Sequence, residues 1–238
     1  MPALQRERRD DGVEIVRLDR PGVRNALDSA TIAELLATLA ELAADPAQRV
    51  MVLSTTSTRA FCAGADVGEE LDREGGVARM EAFAALYAAL DAFPAPVVCV
   101  CVGNCVGAGA ELVAGSDLRV GGDNLKLAWA GSRLGVPVGP ARLAPLVGVA
   151  RAKDLVFTGR VVGMEEALAL GLLTRTAPAA LAEAAAVELA AEIAAHPPEG
   201  LRRLKGMFRD LHATPARVAH ENELLVEFQR QGAGLPQG

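Results

Sequence analysis

Aromatic rings are scarce in this chain: six Phe, one Tyr and one Trp make up 3 % of its 238 residues. Proteins grip single-stranded nucleic acid by stacking bases on such rings, and duplexes with a basic surface. With a formal charge of −6 the chain has neither feature, and nucleic acid is set aside as a main partner. Long hydrophobic runs are missing too. A membrane helix needs roughly 18 or more apolar residues in a row, and Glu183, Glu188 and Glu192 break up the most Ala-rich stretch. The Arg-rich beginning, Met1 to Asp10, has no apolar core region and does not read as a secretory signal. The expected compartment is the cytoplasm, and no membrane partner is expected.

Metal-ligand patterns are also lacking. Cys99, Cys101 and Cys105 cluster, but His196, His212 and His220 lie far along the chain and show no paired ligand spacing. No metal is expected, because a zinc site needs four ligands at short, regular intervals. Together with Cys62, these cysteines read as small apolar side chains of a reduced core.

What the chain does have is apolar residues, 51 % of the total, enough for a sizeable core. Gly12 to Leu18 alternates as a strand and is closed by Arg20-Pro-Gly22. Asp28 or Ser29 can cap a following helix whose face is Ile32, Leu35, Leu36, Leu39 and Leu42, ended by Asp45-Pro46. Val50 to Leu53 is a continuous apolar run, as expected of a strand buried on both faces. After an acidic, Gly-containing stretch that ends near Gly76, a helix around Met80, Phe83, Tyr87 and Leu90 leads to a strand at Val97 to Val102. Short strands at Leu118 to Val120 and Leu125 to Trp129 come next, and from Pro140 onward the pattern is almost wholly helical. This alternation predicts a layered α/β fold. Residues 1–175 are expected to carry the core, and 176–238 a helical region that does not form an independent domain.

Two glycine-containing segments stand where chemistry is expected. Ala60-Phe-Cys-Ala-Gly-Ala-Asp66 follows a strand closely, and its small residues let a ligand approach backbone N–H groups. Taken alone it reads equally well as a plain Gly turn. Gly103-Asn-Cys-Val-Gly-Ala-Gly-Ala-Glu111 runs from a strand end into a helix, whose first N–H groups are unpaired and electropositive. Its glycines do not fit G-x-G-x-x-G, and no P-loop Lys follows. Two such convergent donors would make an oxyanion hole, and Glu111 lies one helical turn beyond Ala108. The apolar neighbours Leu112, Val113 and Ala114 mark this helix as buried, and a buried acid needs a reason.

These segments resemble the crotonase, or enoyl-CoA hydratase/isomerase, superfamily. The likeness covers about Gly12 to Arg175 and rests on motifs in that family's order: Arg24-Asn-Ala-Leu27, Phe61-Cys-Ala-Gly-Ala-Asp66, Gly103 through Asp117, and Leu155 to Arg160 followed by Glu165 to Leu172. It implies a spiral of ββα units, a helical C-terminal region, a homotrimer or dimer of trimers, and an acyl-CoA substrate with no separate cofactor. Carried over, the oxyanion donors are the N–H groups of Ala65 and Ala108, and the first catalytic glutamate is Glu111. Implied substrate contacts are Ala63, Gly64 and Asp66 of the first loop, Gly107 of the second, Gly131, and, for CoA phosphates, Arg24 and Lys205.

One departure limits the reaction. The family's hydratases place a second glutamate just before a Leu-Gly turn, where this chain holds Gly131, or Arg133 under a shifted alignment, and no Asp or Glu occurs from Asn124 through Lys153. Hydration divides its labour between two acid–base groups. A lone Glu111 can still move a proton between carbons, and Glu69, Glu70, Asp72 and Glu74 are other candidate acids. The resemblance therefore implies hydration or a double-bond shift. The alternatives are decarboxylation, thioester hydrolysis, and a weakly catalytic acyl-CoA-binding protein. The C-terminus also departs from the family, ending soon after Phe228.

Overall fold

A computed structural model describes residues 2–232, 234 and 235 of the chain; Met1, Ala233 and residues 236–238 lie outside it. Strands β2 (Val13–Leu18), β3 (Val50–Thr55), β5 (Val97–Cys101), β7 (Leu118–Gly122) and β9 (Arg175–Ala177) run parallel in one sheet, with β1 (Leu4–Arg8) antiparallel on the edge beside β2. The period of two sorts each strand between two cores. Val13, Ile15, Val50, Val52, Val98 and Val100 meet Ala182, Ala186, Leu189 and Ala190 of helix α7 (Ala182–Ala194) on one side. Val16, Leu18, Met51, Leu53, Val97, Cys99 and Cys101 face the main core on the other. Apolar residues at every position are what a strand covered on both faces requires.

The main core is closed by helices α1 (Ser29–Ala44) and α2 (Arg73–Ala92). Asp28 caps α1 by accepting from Thr31 N–H at 2.8 Å, and Asp72 caps α2 by accepting from Gly75 N–H at 2.7 Å. The acidic stretch before Gly76 thus already includes the first turn of α2. All four cysteines are buried free thiols, and burial pushes the Cys62 thiol up to about 12, which makes it inert. Among the described residues no helix is long and apolar enough to cross a membrane.

A second sheet positions the site. Its strands β4 (Ala60–Cys62), β6 (Asn104–Val106) and β8 (Lys126–Ala128) pair in parallel, each following a strand of the large sheet. The chain therefore winds as strand, strand, helix. Because β4 and β6 are neighbours, the loops at their ends lie side by side. From the second loop springs α3 (Ala108–Gly115), buried from Ala108 to Ala114. It packs so closely on β4 that a Cβ at Gly109 would stand 2.2 Å from the Cys62 carbonyl oxygen.

Two differences from the sequence reading stand out here. The Arg-rich start is the edge strand β1, whose only buried residue is Leu4 and whose charges discourage edge pairing. Beyond Pro140 the helices α4 (Pro140–Val147), α5 (Val149–Thr158) and α6 (Met164–Ala169) are followed by strand β9 before the chain turns helical again. The last helices are α8 (Pro198–Leu211) and α9 (Thr214–Gln231), and α9 lies along α2.

Candidate active site

The first loop is held by the segment just before α1. Asn25 adopts a left-handed conformation, φ 55°, which an Asn tolerates better than most side chains. Its buried amide donates to the carbonyls of Ala60 and Phe61 at 2.9 and 3.0 Å and to Thr55 Oγ1 at 2.7 Å, while its oxygen accepts from Arg20 N–H. Ala63 N–H donates to the Arg24 carbonyl, Leu27 N–H to the Gly64 carbonyl, and Asp66 N–H to the Leu27 carbonyl. Asp66 is tied further by Arg20 on its carboxylate and Arg79 on its carbonyl. Among the described residues the Ala65 N–H donates to nothing. The Ala108 N–H, at the first position of α3, is free in the same sense.

The two free donors are neighbours. Gly64, at φ +106°, brings its loop so close to the second that a Cβ there would lie 3.0 Å from the Val106 oxygen and 3.7 Å from the Ala108 nitrogen. Only glycine combines that backbone angle with that approach. Ala63, Gly64, Ala65, Gly107 and Ala108 line one side of a cavity of about 220 Å³, and Met80, Phe83, Tyr87, Gly131, Val136 and Leu225 are among the residues of its other walls.

Asn25→Ala should loosen this assembly first. Removing the amide that donates to the buried Phe61 carbonyl, and to the Ala60 carbonyl that keeps only Thr55 Oγ1 at 3.0 Å, costs roughly 1–3 kcal/mol, and urea unfolding should show a drop of about that size. An unchanged midpoint would mean that Asn25 does not brace the loop.

Glu111 of α3 is 0 % exposed. Its Oε2 accepts from Arg142 Nε at 2.7 Å, and among the described residues its Oε1 accepts no hydrogen bond of good geometry, with the Trp129 indole N–H nearby. Arg142, from α4, lies 4.4 Å above the Tyr87 ring and reaches Glu221 of α9, with Nη2 at 3.1 Å from Oε1. Burial pushes the Glu111 carboxyl up to about 7; the Arg142 charge opposes that rise and the Glu221 charge adds to it. Burial works against the Arg142 charge, but the two carboxylates outweigh it and hold the guanidinium charged. The sequence points to Glu111 but to neither Arg142 nor Glu221. The one local hint was a cation set among apolar residues, Pro140-Ala-Arg-Leu-Ala-Pro-Leu-Val147.

Other expected residues fall in different places. Gly131 lines the cavity, whereas Arg133 turns away and donates to the Gly159 carbonyl at 3.0 Å, so position 131 is the one that faces the site. Glu69 accepts from Ser29 N–H at 3.0 Å and pairs with Arg79, Asp72 is the α2 cap, and Glu70 and Glu74 are exposed. None of these four acids lines the cavity. Lys205 is committed elsewhere, its Nζ 2.7 Å from Asp117 Oδ2 and 2.9 Å from the Ala95 oxygen. Arg24 is exposed and joins the first loop only through its carbonyl.

Comparisons with known proteins give the family. The model of the family described as "Enoyl-CoA hydratase/isomerase" matches residues 8–233. The 2,3-dehydroadipyl-CoA hydratase of Escherichia coli is 31 % identical over 223 residues, 92 % of this chain and 87 % of the relative. Human enoyl-CoA hydratase domain-containing protein 2, mitochondrial, is 36 % identical over 170 residues, 69 % of this chain but 58 % of the human protein. Among solved structures, the enoyl-CoA hydratase of Bacillus anthracis superposes with a TM-score of 0.81 at 26 % identity, covering 99 % of both chains. With these matches spanning both of its sheets and its C-terminal helices, the chain belongs to the enoyl-CoA hydratase/isomerase family.

Proposed function

We propose that this enzyme binds an enoyl-CoA with its thioester oxygen between the Ala65 and Ala108 N–H groups and shifts the double bond by moving one proton with Glu111. The observation that carries this reading is the buried carboxyl of Glu111, one helical turn beyond Ala108 on the helix that supplies the second donor, together with Gly131, a residue without a carboxylate, in the cavity wall. Starting from a 3-enoyl-CoA, the Glu111 carboxylate takes a proton from C2. The electron pair spreads into a dienolate whose oxygen the two N–H groups stabilise. The same carboxyl then returns the proton at C4, giving the 2-enoyl-CoA. A carboxyl near 7 suits both halves of that exchange. Hydration also needs a group to activate water, and among the described residues Glu111 is the only carboxylate on α3, the Ala130–Leu134 segment around Gly131 carries none, and no Asp or Glu lines the cavity itself.

The walls favour an apolar acyl group. Val67, Met80, Phe83, Leu134, Val136 and Val138 offer no charged partner, so a chain ending in a carboxylate, such as the dehydroadipyl group named for the E. coli relative, would be desolvated without compensation. For the assembly we propose the family's homotrimer or dimer of trimers. The exposed stripe Leu204, Met207, Phe208 and Leu211 on α8 is apolar surface available for it. Four unpaired cysteines suit a reducing compartment, and the cytoplasm is proposed.

Incubation with 3-enoyl-CoA should produce the absorbance of the conjugated thioester, while crotonyl-CoA should be hydrated slowly or not at all. Faster hydration than double-bond shift would overturn the reading. Gly131→Glu is the matching test. A Cβ at 131 would meet Val138 Cγ1 at 3.2 Å and the Val136 oxygen at 3.3 Å, so both neighbours must give by a few tenths of an ångström to admit it, and thermal unfolding of the variant checks that they do. Acid–base groups contribute roughly 10²- to 10⁴-fold, and an imperfectly placed one is expected to raise crotonyl-CoA hydration about tenfold or more. A folded variant that binds acyl-CoA without this gain would mean that more than the missing acid separates this site from a hydratase.

A further inference from the structure

Glu111, Arg142 and Glu221 arrive from α3, α4 and α9 and close on one another in the interior. Arg142 Nε holds Glu111 Oε2, Nη2 faces Glu221 Oε1, and Glu221 Oε2 accepts from the Ala141 N–H at 2.8 Å. A guanidinium is a rigid fork, so its hydrogen bond sets the direction of the carboxylate it grips. Here it occupies one oxygen of Glu111 and leaves the other buried and unpartnered.

We propose that Arg142, anchored by Glu221, is a positioning residue that fixes Glu111 through Oε2 and leaves Oε1 as the atom that takes up and releases the proton. This rests on the reading of Glu111 as proton carrier. Two carboxylates on one cation answer a particular need. When Glu111 becomes protonated its charge vanishes, and a buried guanidinium with no other partner would be left uncompensated at high cost. Glu221 keeps Arg142 paired in both states, so the trio passes between one net negative charge and none. The remaining groups around it stay neutral: burial raises the Tyr87 hydroxyl of α2 and the Cys62 thiol of β4. The Trp129 indole N–H, itself unpartnered, favours the charged form of Glu111.

Trp129 is the one tryptophan of the chain, so its fluorescence can follow Glu111 without any substrate. The native protein should show a fluorescence transition near pH 7 that disappears in Glu111→Gln. Glu221→Gln removes a like charge and should move the midpoint to lower pH. Arg142→Gln removes the opposite charge and should move it to higher pH. Arg142→Lys keeps the charge without the fork. Its midpoint should stay close to native while kcat falls on the order of 10- to 100-fold at nearly constant KM, because misdirecting a catalytic group by about 1 Å costs that much. A merely structural pair would cost stability but leave the kcat of a folded Arg142→Lys variant nearly native, which would overturn the proposal, as would midpoints that stay where they were. If Arg142→Gln does not fold, Glu221→Gln, nearly isosteric, carries the same decision. Midpoints that shift as stated in a protein that turns over no enoyl-CoA would support the positioning network and sink the double-bond shift.

Discussion

Glu111→Gln is expected to lower kcat for the double-bond shift by roughly 10²- to 10⁴-fold, the usual contribution of a general acid–base group, with acyl-CoA affinity nearly unchanged. The amide keeps the shape of the carboxyl, and its oxygen can still accept from Arg142 Nε, where Oε2 now does at 2.7 Å. Arg142 also keeps Glu221, so the buried cation is not orphaned and the fold should survive. What is lost is the atom that accepts a proton. In the native enzyme kcat/KM should rise as the pH increases through about 7, because the unprotonated carboxylate is the form that starts the reaction. The variant should lose that limb along with its rate. Calorimetry with a saturated acyl-CoA checks the binding half of the expectation, and stopped-flow rates check the other. A fall in kcat smaller than about threefold would remove Glu111 from the chemistry.

Ala108→Pro tests the backbone donor itself. A backbone N–H cannot be deleted by ordinary substitution, but Ala108 is the first residue of α3, the helix position at which proline is best tolerated. Its N–H has no intramolecular acceptor among the described residues, so the fold loses no hydrogen bond. Removing one donor from an oxyanion site typically costs about 10²- to 10³-fold in kcat, roughly 3–4 kcal/mol of transition-state stabilisation. The variant should keep a native far-UV circular dichroism spectrum and melt cooperatively while losing that much rate. A folded Ala108→Pro that retains nearly native kcat would mean that the thioester oxygen sits elsewhere. Measuring acyl-CoA affinity alongside separates a lost donor, which acts on the transition state, from a ring that blocks the cavity and weakens binding.

Residues differ in how far their neighbours in sequence announce their role. Val50 to Leu53, the Asp28 cap and the face Ile32, Leu35, Leu39 and Leu42 were legible because their signal has a period of two or 3.6 residues and lies within one element. The two glycine loops were legible because a tight approach demands small residues locally, and the absence of any acid from Asn124 through Lys153 is a property of the sequence itself. Strand β1 escaped because an edge strand with one buried residue carries no apolar alternation. By itself, then, the sequence determined the α/β alternation, the two glycine loops, and the absence of an acid from Asn124 through Lys153. The tertiary structure alone decided that Gly131 and not Arg133 faces the cavity, that Lys205 is spent on Asp117, and that Glu111 answers to Arg142 and, through it, to Glu221. The partners in these pairs stand tens of residues apart: 31 between Glu111 and Arg142, 88 between Asp117 and Lys205. Contacts over such separations follow from how helices and sheets pack, and no local periodicity encodes them.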